Sequence, residues 1–230
     1  TSMALSGIAT GLLIESHNGR PTKVEGNPDH PASLGATDAV TQASVLGLYD
    51  PDRSQAISQL GKSATWAILN QQLTAALNAQ SAFGGAGLRL LTGPVTSPTE
   101  ARLIAALLES YPQARWHRWD PLARDGATKG LTEAFGAPVG MRFDLAKADV
   151  VLALESDFLT AGPGSVRYAR DFAARRKVGH PEGAATTMNR LYVAESSPTA
   201  TGTVADHRFR IRPSQVAGIV QALAAAVGVA

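Results

Sequence analysis

The residues with most chemical promise are carboxylates at the ends of short apolar runs. Leu154-Glu155-Ser156-Asp157-Phe158 closes the run that begins at Val150, and Glu195 closes the run Leu191 to Ala194. A loop at the carboxyl end of a parallel strand presents main-chain N–H groups and helix N-termini, a geometry suited to phosphates. Glu155 and Asp157 in such a loop would repel an anion. Gly162-Pro163-Gly164 either cradles an anion as a backbone nest or simply opens a helix. Histidines 17, 30, 117, 180 and 207 show no HxxxH or HxH spacing, so metal binding by them is not expected. Asp125, just before Gly126, reads as a turn residue. No GxGxxG follows any strand, which argues against a generic nucleotide-binding domain.

Those side chains need a scaffold, and hydrophobic periodicity supplies one. Leu12 to Ile14 and Thr22 to Glu25 are β-prone runs on either side of Asn18-Gly19, a pair suited to the positive φ of a tight hairpin turn. Gly26 to Pro31 then forms an irregular loop, and Thr41 to Tyr49 a short helix stopped by Asp50-Pro51. Ser54 to Lys62 is a polar connection. Ser63 is the expected N-cap of a helix reaching Gln80, with Trp66, Leu69, Leu73, Ala76 and Leu77 as a buried stripe.

From Leu88 onward strands alternate with helices. Expected strands are 88–92, 114–119, 149–154, 190–194 and 207–211, and expected helices are 99–110, 128–135, 165–176 and 214–227. This rhythm predicts an α/β fold: a Rossmann-like, largely parallel sheet with helices on both faces, preceded by a small N-terminal β-hairpin region. The division falls at 1–53 and 54–230. Trp116-His117-Arg118-Trp119 reads as core packing first and interface second, with its two Trp expected to share one side. Arg167, Arg170, Arg175, Arg176 and Lys177 form a basic helix end, either a solvated face or a docking surface for an acidic neighbour.

At 230 residues the chain can bury a real core, and 44% hydrophobic with 17% charged residues is a globular composition. A net charge of +2 gives no reason to expect a nucleic-acid partner. No run approaches the roughly 18 consecutive apolar residues that a bilayer requires, so direct membrane insertion is not expected. The N-terminus lacks a basic region followed by an apolar one. There is no cysteine.

The wording GRPTKVEGNPDHP and QASVLGLYDPDR resembles the N-terminal region of the molybdopterin oxidoreductase superfamily. The similarity continues in Ala148-Asp149-Val150-Val151-Leu152, in Glu195-Ser196-Ser197-Pro198-Thr199 and in Ala205 to Pro213. It covers essentially the whole chain and is most specific before residue 54. The wording ESHNGRPTKVEGNPDHPASLGATDA most resembles the cluster-less, molybdenum-less N-terminal domain of the large iron–sulfur subunit of alternative complex III, a membrane quinol:electron-acceptor oxidoreductase.

The resemblance implies that four positions once held a [4Fe-4S] cluster, through Cys-x2-Cys-x3-Cys and a later Cys. They fall here on Met3, Ser6, Thr10 and Asp38, none a thiolate, and a cluster at this place is not expected. Asp38 with Asp29 and His30 would form either a small polar site where the cluster was or, as favoured, a hydrogen-bonded plug of the vacated cavity, with Lys23 or Arg20 as a partner for the carboxylate. The loop Glu155-Ser156-Asp157 corresponds to one lying over the guanine dinucleotide of the pterin cofactor, and Glu195 to an Asp contacting its ribose. The Arg usual two residues later is Ser197, so Glu195 either still accepts a ribose hydroxyl bond or is a surface carboxylate at a strand end, the second being the expectation. The residue bonded to molybdenum would fall within Leu122 to Asp125.

Two readings follow. The first is a non-catalytic structural domain of a membrane-associated respiratory complex. It would have no cofactor of its own, other subunits as partners, and iron–sulfur clusters elsewhere in a longer parent protein. Its place would be the periplasmic side of the bacterial inner membrane, after export by a twin-arginine-type signal missing from this piece. The alternative is a molybdopterin-dependent oxidoreductase domain that retains the pterin cofactor without the cluster.

Overall fold

The computed structural model describes residues 1–5, 8–121, 125–177 and 187–229. The chain begins with an antiparallel three-stranded sheet, β1 (Ser2–Leu5), β2 (Ile8–His17) and β3 (Arg20–Gly26). Asn18 and Gly19 take φ of 50° and 77° between the paired residues His17 and Arg20, the two-residue hairpin expected from the Asn-Gly pair. Leu12 and Val24 point to the buried side. The chain then returns beneath the hairpin: Asn27 N–H donates to Gly11 O at 2.9 Å. A Cβ on Gly26 would meet Ala36 O at 2.3 Å, so only glycine fits there.

Helix α1 (Ala39–Ala43) starts two residues earlier than the sequence predicts. It gives way to a 3-10 turn, Ser44–Leu48, rather than continuing to Tyr49. The cause is local: Ser44 Oγ donates back to Thr41 O at 2.7 Å at the junction, and Gly47 is a poor helix former. Residues expected as a plain connection form a small hairpin, β4 (Ser58–Gln59) and β5 (Lys62–Ser63), around Leu60-Gly61. Ser63 is therefore a strand residue. Thr65 caps α2 (Trp66–Ser81) instead, its Oγ1 accepting from Ile68 N–H at 3.4 Å. The predicted stripe of α2 is not buried: Trp66 is 70% exposed and Leu73 54%.

Two parallel units follow. In the first, β6 (Arg89–Thr92) pairs with β7 (Arg115–Arg118) across α3 (Pro98–Ser110), whose Ser97 cap accepts from Glu100 N–H and whose Ile104 is buried. After α4 (Asp125–Phe135), the second unit is a three-stranded parallel sheet in the order β10-β9-β8. Its strands are β8 (Val150–Leu154), β9 (Arg190–Glu195) and β10 (His207–Arg210), connected by α5 (Ser165–Ala174) and α6 (Ala200–Thr203). Helix α7 (Val216–Ala226) comes last. The expected α/β architecture with parallel strands after an antiparallel hairpin is what the chain adopts. Among the described residues, however, the parallel strands form two separate ladders, and β8 keeps one edge open.

The principal core lies on the β8-β9 face under α5. Leu145, Ala153, Phe158, Tyr168, Phe172, Leu191 and Val193 form one cluster, with Phe158 and Phe172 edge-to-face at 6.1 Å. The α5 residues recur at four-residue spacing, which places both rings on the face toward the sheet.

Candidate functional site

The carboxylates singled out by the sequence converge where β8 and β9 end. Glu155 follows β8 in the left-handed region, φ 46°, and its Oε1 accepts the N–H of Ser196 at 2.8 Å. Asp157 accepts from Thr201 twice, at 2.9 Å from its N–H and 2.6 Å from its hydroxyl, and also from Thr160 Oγ1. Glu195, 1% exposed, takes Arg208 Nε–H at 2.5 Å, Thr199 Oγ1–H at 2.7 Å and Thr199 N–H at 3.3 Å. Glu195 is thus a buried, fully engaged carboxylate, not a surface one. Ser156 is exposed beside this group.

Sequence reasoning missed Thr199, Thr201 and Arg208 as parts of the site. A signal existed for the first, since Thr after Pro198 is a good N-cap: Thr199 Oγ1 accepts from Gly202 N–H at 3.0 Å. Burial pushes the Glu195 carboxyl upward, but the hydrogen bonds from Arg208 and Thr199 outweigh it and hold its pKa below the ordinary value. Asp157 behaves alike, with burial opposed and exceeded by hydrogen bonds from Thr160 and Thr201.

This arrangement does not fit a guanine dinucleotide. The main-chain N–H groups of Ser196, Thr199 and Thr201, which such a sheet end would turn toward a phosphate, are spent on Glu155, Glu195 and Asp157. Three carboxylates gather at this sheet end, and their charge would repel a diphosphate. At the Gly162-Pro163-Gly164 turn the Tyr168 ring packs against Gly164. A Cβ on Gly164 would lie 2.8 Å from Tyr168 Cζ, and Tyr168 OH accepts Phe143 N–H at 3.2 Å.

At the other expected site, Met3 and Thr10 are cross-strand partners in the β1-β2 ladder and both half-buried. Ser6 lies outside the described residues. Asp38 is not the polar plug anticipated with Asp29 and His30. It caps α1, accepting Thr41 N–H at 2.8 Å and Thr41 Oγ1–H at 2.7 Å. Burial raises its pKa, and hydrogen bonds, foremost those from Thr41 and then those from the main-chain N–H groups of Asp38 and Val40, lower it more. Neither cation expected to serve Asp38 does so: Lys23 pairs with Glu25, and the Arg20 guanidinium sits 4.4 Å from the Tyr49 ring centroid. His30 packs its ring against Gly11, where a Cβ would meet it at 2.3 Å.

The remaining candidates resolve locally. Asp125 is the first residue of α4 and exposed, not a turn residue, while Leu122 to Arg124 and His180 lie outside the described residues. His17 contacts Glu15 at 2.7 Å, and His207 stacks on Tyr192 with centroids 4.8 Å apart. No group of three metal-ligating side chains occurs among the described residues.

Four of the arginines at and after α5 are tied inside the molecule. Arg167 binds Asp171 and donates to Pro31 O at 3.1 Å, while Arg170 donates to Leu34 O at 2.5 Å. Arg175 pairs with Asp149, and Arg176 with Asp206. Trp116 lies within β7 and Trp119 just beyond its end, and the two have different surroundings. Trp116 donates to Thr92 Oγ1 at 3.0 Å. Trp119 is exposed on an open groove of about 520 Å³ with Leu5, Leu91 and Pro94.

No family model matches the chain. It is 27% identical over 218 residues to the menaquinone reductase, molybdopterin-binding-like subunit of Nitratidesulfovibrio vulgaris strain Hildenborough. The match takes in 93% of this chain, which spans 30% of that relative's length. With the sequence wording and the fold, the similarity supports a molybdopterin-oxidoreductase-like relationship for this chain.

Proposed function

We propose that this region is a non-catalytic, molybdopterin-oxidoreductase-like structural domain in a quinone-linked respiratory oxidoreductase complex. The observation that carries it is the closed network Glu155–Ser196, Asp157–Thr201 and Glu195–Arg208 at the sheet end. A sheet whose terminal N–H groups are occupied by its own carboxylates is organised to stay folded, not to hold a phosphate-bearing cofactor. The relative's name, a molybdopterin-binding-like subunit of a menaquinone reductase, supports the quinone-linked setting. The finer assignment, to an alternative-complex-III-type assembly, is carried by residues 15–39. On this reading the partners are other subunits of the complex. The place is the periplasmic face of the inner membrane, held there peripherally, and the iron–sulfur clusters sit elsewhere in the parent protein. Among the described residues no helix is long and apolar enough to cross a membrane.

Elemental mass spectrometry of the parent protein, expressed in a host that makes the pterin cofactor, tests the reading. No molybdenum or tungsten is expected, and near-stoichiometric metal would overturn it. Deletion of residues 1–230 should abolish assembly of the complex. A deleted protein that still assembles with normal electron transfer would remove the structural role.

A further inference from the structure

A folded monomer of 23.9 kDa exposes about 9,900 Å² by the usual scaling with mass. This chain exposes 16189 Å², an excess on the order of 6,000 Å². Exposed large apolar side chains occur along the whole chain, and two helices carry them without any charge beside them. On α2, Trp66, Leu69 and Leu73 recur at three- and four-residue spacing and are 70%, 41% and 54% exposed. On α7, Val220 and Leu223 are 47% and 41% exposed. Neither helix, WAILNQQLTAALNAQS nor VAGIVQALAAA, contains one charged residue. Helices facing water normally carry charge on their outer side.

We propose that the uncharged faces of α2 and α7 are packing surfaces for residues of the same polypeptide beyond these 230, presenting an uncharged, apolar surface in return. Charge complementarity fixes the chemistry, because a charged partner would be desolvated there without a counter-ion. Area fixes the source. A standard interface takes about 800 Å² from each partner, so a second copy docked on one patch leaves most of the excess uncovered. The relative carries the matched region as 30% of a longer chain, which supplies enough protein to cover it. This inference shares with the proposed function the longer parent polypeptide, but not the respiratory setting or the absence of a cofactor.

The chain has no cysteine, so Leu73→Cys and Leu223→Cys each place one thiol on these faces, and Lys129→Cys on α4 serves as an exposed control. Maleimide labelling is read peptide by peptide in the isolated 230 residues and in the whole polypeptide as its own cells make it. The isolated piece should label at all three positions alike. In the whole polypeptide, positions 73 and 223 should slow on the order of a hundredfold while 129 does not, because labelling then needs local opening. Equal rates in both proteins would overturn the proposal. So would protection that rises with concentration of the isolated piece, which identifies a second copy, or protection lost when other subunits are stripped away. A cellular polypeptide of only 23.9 kDa would overturn it outright.

Discussion

Arg208 on β10 donates its Nε–H to Glu195 on the neighbouring strand β9 at 2.5 Å, with the carboxylate 1% exposed. One buried charge therefore depends on a side chain 13 residues later in the sequence. Arg208→Ala should destabilise the domain by about 2–3 kcal/mol, somewhat below the usual cost of a broken buried pair, because Thr199 still supplies two donors and Arg208 is partly exposed. Urea denaturation of this variant beside Glu195→Gln checks it. The Gln variant should lose less, since the charge it leaves unpaired, on Arg208, is one-third exposed to water rather than buried.

The same network fixes the direction of the pH dependence. Glu195, Asp157 and Asp206 all have folded-state pKa values held below their unfolded ones, Asp206 chiefly by the hydrogen bond from Arg176. Their stabilisation is fully present above the unfolded carboxylate range, near about pH 4, and is lost as pH falls through the folded values. The Tm should be flat from pH 7 to about 5 and drop steeply below. A Tm that held steady down to pH 3 would contradict the ion pairs as drawn.

Two glycines should respond in opposite senses to alanine. At Gly202 a Cβ would lie 1.9 Å from Glu195 Oε1, so Gly202→Ala should cost about 1–3 kcal/mol. At Gly218 in α7 nothing lies within 4 Å, so Gly218→Ala should stabilise by up to about 1 kcal/mol. Thermal melts of the two variants measure both.

Helix α5 holds the N-terminal loop through Arg167 to Pro31 O and Arg170 to Leu34 O. In the double variant Arg167→Ala, Arg170→Ala, amide exchange across residues 27–36 should accelerate about tenfold or more, while the β8-β9 strands stay protected. Unchanged exchange in the loop would show that the hairpin holds it unaided.

Asp38→Ala should cost about 1 kcal/mol through the lost cap of α1, and Asp38→Asn only a few tenths. Equal losses in the two variants, followed by circular dichroism in urea, would mean that the carboxylate charge matters beyond capping.

What the sequence determined by itself was local. Asn18-Gly19 dictated the hairpin because positive φ at two successive positions is cheap for that pair. The alternation of apolar runs with helical stripes from residue 88 dictated parallel βαβ units, and the identities of Met3, Thr10 and Asp38 excluded thiolate ligation at those positions. Tertiary structure decided the partnerships. That Glu195 is buried against Arg208, that Asp157 is met by Thr201 across 44 residues of chain, and that Arg170 reaches a carbonyl 136 residues away follow from where strands and helices come to rest. Helical periodicity marked α2 as having an apolar face but not whether these 230 residues bury it. A spacing reports which side of an element is apolar, whereas only the packed chain shows what, if anything, lies against it.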